Sequence, residues 1–159
     1  MGVSGSGKTV VGESLAARLG IRFVDADALH PAANVAKMAA GHPLTDDDRW
    51  PWLDAVGAVL AGGPVVVACS ALKLAYRDRL RQAAPDLALV YLSAPRDVLV
   101  ERMTHRTHFM PVTLLDSQLA TLEPPTADER VVELFVEVGP QSSVERTVEV
   151  AYEKLETRA

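Results

Sequence analysis

Gly2, Gly7, Lys8 and Thr9 complete a Gly-x-x-x-x-Gly-Lys-Thr run at the start of a 159-residue chain. Glycines lack Cβ atoms, so successive backbone N–H groups in such a run can converge on phosphate oxygens. The residues behind it, Thr9 to Leu19, carry Val10, Leu15, Ala16 and Leu19 at helical spacing, with Gly20 placed to end the helix. That helix would aim its positive N-terminal end at the same anion. The expected assignment gives Gly2, Ser4, Gly5, Ser6 and Gly7 to a phosphate cradle, Lys8 to the β- and γ-phosphates, and the Thr9 hydroxyl to Mg²⁺. No Asn-Lys-x-Asp guanine-reading element occurs, so ATP is the expected nucleotide.

Phosphate transfer needs an acceptor, and Asp25 to Met38 is too polar for a core segment. Asp27 is placed to take the proton of an attacking hydroxyl or to position it, and Asp25 to hold a Mg²⁺-bound water. His30, Asn34 and Lys37 share one face if a helix begins at or before His30, a mixture of groups suited to a polyhydroxylated substrate. A solvated helix face capped by Asp27 explains the same composition equally well. Asp46, Asp47 and Asp48 suit a helix start, whereas Arg49 has the planar fork that binds a carboxylate or a transferred phosphate. Trp50 and Trp52 read as core or wall residues. Ser70, Lys73 and Arg77 follow an apolar strand, where a parallel sheet opens its ligand crevice. Cys69 reads as a buried filler, and Arg79 and Arg81 as solvated. Arg102, Arg106 and His108 form a basic cluster that suits a loop closing over phosphates, although cations at a helix C-terminus have the same composition.

The elements that must hold these groups alternate along the chain. Strands are expected at Ile21–Asp25, Val65–Cys69, Leu87–Leu92 and Val131–Val138. Helices are expected at Ala32–Ala40, Trp52–Leu60 with Pro51 in the first turn, Leu72–Ala84, Pro95–Met103, Val112–Leu122 and Ser142–Glu156. Strands separated by helices imply one α/β domain over 1–159 with a parallel sheet covered on both faces. A loop of this kind ordinarily follows a buried strand that aims it, and only Met1 precedes Gly2 here, so the expectation is a native start upstream.

Net charge of −5 and a pI near 5.3 argue against a broad nucleic-acid or anionic-membrane surface. The single cysteine cannot form an intramolecular disulfide, which fits a reducing compartment. No apolar run approaches the roughly 20 residues that span a bilayer, and no signal peptide precedes the glycine-rich run, so the expected setting is cytoplasmic.

Five blocks carry a closer resemblance. Gly2 to Thr9 leads into Asp25-Ala26-Asp27-x-x-His30-Pro31-x-x-Asn34-x-x-Lys37-Met38, and then Gly41-x-Pro43-Leu44-x-Asp46-Asp47-Asp48-Arg49-x-Pro51-Trp52-Leu53. Cys69-Ser70-Ala71-Leu72-Lys73-x-x-Tyr76-Arg77 follows, with His108-Phe109-Met110-Pro111 and Ser117-Gln118 beyond it. In this order they resemble the gluconate kinases. The resemblance implies ATP-dependent phosphorylation of D-gluconate at the 6-hydroxyl and Mg²⁺ dependence. It also implies a P-loop NTPase fold, nucleoside-monophosphate-kinase-like, three-layer α/β/α, with a mobile lid at about 103–112, and a homodimer. By position it sets Asp27, His30, Lys37, Arg49, Lys73 and Arg77 around gluconate, and Arg102 and Arg106 over ATP. One departure lies in the lid, where Thr107 stands in place of the family's usual glycine before His108-Phe109. Shikimate kinase is the nearest alternative, since Val11 to Ala16 and Phe23-Val24-Asp25-x-Asp27 resemble that group too; a nucleotide-binding module without catalysis is the other.

Overall fold

The computed structural model describes residues 1–104, 113–136 and 144–157. In chain order these form α1 (Lys8–Leu19), β1 (Arg22–Asp25), a 3₁₀ turn (Ala26–Leu29), α2 (Ala32–Ala39), α3 (Asp46–Ala61), β2 (Val65–Ala68) and α4 (Leu74–Ala83). The chain continues through β3 (Val90–Ser93), α5 (Arg96–Thr104), α6 (Thr113–Thr121), a 3₁₀ turn (Ala127–Glu129), β4 (Val132–Phe135) and α7 (Val144–Glu156).

Among the described residues all strand pairing is parallel. β1 pairs with β2 in the register Phe23↔Val66, and β3 pairs with β4 in the register Leu92↔Leu134. The expected single sheet is therefore built as two pairs. Met1 and Gly2 stand between them: Leu92 N–H donates to the Met1 carbonyl at 2.9 Å, and Gly2 N–H to the Ser70 carbonyl at 3.3 Å.

Helices cover both faces. α1 and α7 bring Val11, Leu15, Val148 and Ala151 onto Leu92, Val132 and Leu134. On the other face, α3 and α4 join Trp52, Leu53 and Val56 to Tyr76 and Leu80. The three-layer α/β/α arrangement is thus present. Gly12 sets the spacing of the first layer, because a Cβ there would lie 2.7 Å from the Phe23 ring. A third apolar cluster, of Val3, Leu72, Leu99, Met103 and Leu115, seats the glycine-rich loop against α5 and α6.

Two boundaries differ from the sequence reading in ways that matter for the site. α2 begins at Ala32 with Pro31 as its N-cap, so His30 lies outside the helix in extended backbone (φ −65°, ψ 135°). α3 begins at Asp46, six positions before Trp52, because Thr45 and Asp48 form a reciprocal capping box. Pro51 consequently sits inside the helix instead of in its first turn.

Candidate active site

The glycine-rich loop runs from β3's neighbour Met1 into α1. Gly5 and Gly7 adopt φ of +80° and +93°, values that L side chains avoid. Gly5 is also pressed against α5, where a Cβ would fall 2.8 Å from the Leu99 carbonyl. The Lys8 ammonium folds back over the loop and donates to the Val3 carbonyl at 2.9 Å. Ser4 N–H is held by Gln118 Oε1 at 2.7 Å, which ties the loop to α6. The Ser6 hydroxyl is fully buried in the loop and has no hydrogen-bond partner among the described residues. Such an orphan costs free energy unless something arrives to pair with it.

The end of β1 supplies the adjoining oxygen groups. Thr9 Oγ1 donates to Asp25 Oδ2 at 2.9 Å, while Asp25 Oδ1 accepts from Asp27 N–H at 3.0 Å. Asp25 thereby caps the 3₁₀ turn and fixes Asp27 two residues beyond it. The indole N–H of buried Trp52 donates to the Ala26 carbonyl at 2.7 Å, so α3 is fastened to the residue between the two aspartates.

On the acceptor side the side chains form two groups of contacts around the first turns of α3. Lys73 Nζ donates to both oxygens of Asp46 (2.9 and 3.0 Å), and the Tyr76 hydroxyl donates to Asp46 Oδ1. Arg49 Nη1 donates to the Tyr76 hydroxyl at 3.2 Å. The Lys73 ammonium, then Tyr76, hold the Asp46 carboxyl below its ordinary range, and the Asp46 carboxylate raises Lys73 in turn. His30 lies flat on Trp52, ring centroids 4.3 Å apart and planes within 12°, and Asn34 Nδ2 stands 3.5 Å from its Nδ1. Burial, with Arg49 nearby, lowers the imidazole to about 4, so the ring is neutral at physiological pH. Asn34 also donates to the Asp48 carbonyl at 2.8 Å, and Lys37 donates to Asp48 Oδ2 at 2.6 Å. The Lys37 ammonium and both Thr45 donors pull the Asp48 carboxyl down to about 2.

Of the residues expected at the acceptor site, His30 and Lys37 belong to one of these groups and Arg49 and Lys73 to the other, both built on the first turns of α3. Ser70 lies just past β2, its carbonyl bound to Gly2. Arg102 occupies the last turn of α5, and Arg106 and His108 lie outside the described residues. Arg77 stands apart from both groups. It is fully buried, its Nε and Nη2 bind the Glu129 carboxylate (2.5 and 2.7 Å), and its Nη1 reaches the carbonyls of Ala71, Leu72 and Glu123. Those partners face inward, and Arg77 braces the segment before α4. Arg81 is also more than a solvated charge, since its Nη2 donates to the Glu129 carbonyl at 2.9 Å.

Sequence reasoning left four residues out of the site or its frame. Tyr76 was signalled by its position three residues after Lys73, which puts both on one helical face. Asp46 read as a generic helix-start acid, and only the fold reveals the lysine opposite it. Gln118 and Glu129 hold partners more than fifty positions away, a separation that no local pattern encodes.

Comparison with known proteins agrees with this geometry. A family model described as "AAA domain" matches residues 1–125. The gluconokinase of Gluconobacter oxydans is 47% identical over 154 residues, covering 93% of this chain and 86% of that protein. The crystal structure of a gluconokinase from Sinorhizobium meliloti superposes with a TM-score of 0.90 at 52% identity, covering all of this chain and 90% of that one. Shikimate kinase from Acinetobacter baumannii shares the fold alone, at 21% identity and a TM-score of 0.63. With this loop, this acceptor network and relatives of this closeness, the chain belongs to the gluconokinase family of P-loop kinases.

Proposed function

We propose that the chain transfers the γ-phosphate of ATP to the 6-hydroxyl of D-gluconate, giving 6-phospho-D-gluconate. The observation that carries this reading is the fastening of an oxygen- and cation-rich acceptor network, through Trp52 and Ala26, onto the Asp25–Asp27 turn beside the phosphate loop. A phosphotransferase needs donor and acceptor sites in fixed relation, because positioning supplies a large part of its rate. A second part comes from charge. Gluconate is a carboxylate bearing hydroxyls, and Arg49, Lys73 and Lys37 offer cations while neutral His30 and Tyr76 offer hydrogen bonds.

The loop fits a polyphosphate. The buried Ser6 hydroxyl is a donor that an anion in the loop could pair with, and the Lys8 ammonium, now on the Val3 carbonyl, would turn to the β- and γ-oxygens. Thr9 and Asp25 form an all-oxygen pair of the kind Mg²⁺ prefers, Thr9 directly and Asp25 through water. Bound there, the ion would neutralise charge on the phosphates. Asp27 takes or orients the proton of the attacking hydroxyl. Arg102 and Arg106 close over the transferring group and exclude water. The reading extends to a cytoplasmic homodimer, with ATP and gluconate as small-molecule partners and without nucleic acid, in keeping with the acidic net charge. Among the described residues no helix is long and apolar enough to cross a membrane. Product analysis by phosphorus NMR tests the regiochemistry: coupling of the new phosphorus to the C6 protons supports the assignment, and coupling to another carbinol proton contradicts it.

A further inference from the structure

The segment from α6 (Thr113–Thr121) to Glu123 is bonded to both halves of the site. Gln118 Oε1 accepts the Ser4 N–H at 2.7 Å. A backbone N–H can only donate, so the oxygen of the Gln118 amide must be the atom that faces it. Ser4 N–H and the Val3 carbonyl belong to one peptide unit, and the Lys8 ammonium rests on that carbonyl at 2.9 Å. Gln118 therefore fixes the plane of the peptide from which Lys8 must reach the phosphates. Val3 and Leu115 of the same helix share one buried apolar cluster, which holds this peptide from a second side.

Further along the same segment, Glu123 grips the acceptor side. α4 has Lys73 at its N-cap (φ −101°, ψ 153°), a residue whose side chain has no acceptor, and no acid in its first turn. The Lys73 ammonium is instead bonded to both oxygens of Asp46. Glu123 Oε2 supplies what the N-cap lacks, accepting the Leu74 N–H at 2.7 Å and setting a carboxylate at the positive end of α4. The Glu123 backbone N–H donates to the Leu72 carbonyl at 2.8 Å, and its carbonyl accepts from Arg77 Nη1 at 3.1 Å. These bonds flank Ala71, buried at φ +44°, a conformation that a non-glycine residue keeps only where its surroundings impose it. A helix start capped from within would favour Ser, Thr, Asp or Asn at position 73 and would lose the ammonium.

We propose that the α6–Glu123 segment sets the distance between donor and acceptor: Gln118 is a positioning residue for Lys8, through the Val3–Ser4 peptide, and Glu123 is a positioning residue for Lys73, through the first turn of α4. The inference rests on the reading of Lys73 as an acceptor-site cation. Transfer depends on the relative placement of the two reacting groups, and a small misplacement is costly. One short segment bonded to both sides sets that placement, and releasing either end frees it.

Steady-state kinetics with ATP and D-gluconate varied in turn test it. Glu123→Ala should raise KM for gluconate by about 5- to 30-fold, as for a lost helix cap, with KM for ATP unchanged. Glu123→Gln keeps an oxygen for the Leu74 N–H and should restore most of that loss. Gln118→Ala should lower kcat/KM for ATP about tenfold with KM for gluconate unchanged. Each alanine variant also lowers kcat, and combining the two should lower it no further than the worse single change, the non-additivity of one shared element. Unchanged kinetics in the alanine variants, no recovery in Glu123→Gln, or multiplied kcat losses in the double variant overturn the proposal. So does an equal rise of both KM values with a fall in Tm, which would reduce the two residues to general packing. Lys73→Ala separates this proposal from the acceptor reading. If it raises KM for gluconate while Glu123→Ala does not, the positioning role alone fails. If it leaves KM for gluconate unchanged, Lys73 leaves the acceptor site and both readings fail.

Discussion

Trp52 donates its indole N–H to the Ala26 carbonyl at 2.7 Å while carrying His30 stacked on its face. One side chain thus sets the acceptor network relative to the Asp25–Asp27 turn. Trp52→Phe keeps an aromatic surface and deletes the donor, leaving a buried carbonyl unpaired at a cost of about 1–3 kcal/mol. The expected result is a raised KM for gluconate with little change in KM for ATP. Steady-state kinetics with each substrate varied in turn checks it, and equal losses for both substrates would contradict it.

Lys8 and Asp27 separate donor from acceptor chemistry. Lys8→Ala removes charge from the developing phosphoryl oxygens and should lower kcat by on the order of 10²–10³. Wild-type kcat in that variant would show that another cation serves the phosphates.

Asp27→Asn should lower kcat by about 10²–10⁴ with ATP affinity retained, as expected for a group that handles the acceptor proton. Isothermal titration with a nonhydrolysable ATP analogue makes the distinction. Parallel loss of nucleotide binding would place Asp27 with the metal instead.

Arg77 belongs to stability. Removing one partner of a buried ion pair costs about 3–5 kcal/mol, so Glu129→Gln should lower the urea midpoint markedly at pH 7. The Arg77 guanidinium holds the Glu129 carboxyl at about 2, against 4.5 in the unfolded chain. The folded form therefore binds its proton less tightly than the unfolded form. The pair's contribution is complete above about pH 4.5 and is lost as pH falls through about 2. Urea titrations of wild type and Glu129→Gln should converge across that window, and a constant difference down to pH 2 would contradict the linkage.

Much of the fold was legible because its signals are local. The Gly-x-x-x-x-Gly-Lys-Thr spacing, the apolar run Val65–Ala68 and the Gly20 helix stop each act within a few residues, and each lies where the sequence puts it. His30 and α3 were read less well for a physical reason. The Thr45–Asp48 capping box outweighs the apolar pattern that begins at Trp52, and Pro31 starts α2 too late to include His30. Arg77 shows the deeper limit. Its sequence neighbourhood, beside Lys73 and Tyr76, is that of a substrate ligand, and only the distant Glu129 carboxylate and three inward carbonyls turn it into a brace.

His30 should leave no imprint on the pH profile near neutrality. Its folded value of about 4 lies below the ordinary 6.5, so the ring stays neutral throughout the range in which an exposed histidine titrates. The profile of kcat/KM for gluconate in His30→Gln should therefore have the same shape as wild type between pH 5.5 and 8, at reduced height. These limits follow from placing the window roughly 1.5 units above the folded value. A limb near 6.5 that disappears in the variant would show that the imidazole titrates.

The acceptor itself is the central claim, and coupled ADP release measures it most directly. With ATP, Mg²⁺ and the full chain, D-gluconate should support turnover far above the rate with shikimate or with no acceptor. Preferred turnover of shikimate, or ATP binding without ADP release on any sugar acid, would contradict the account.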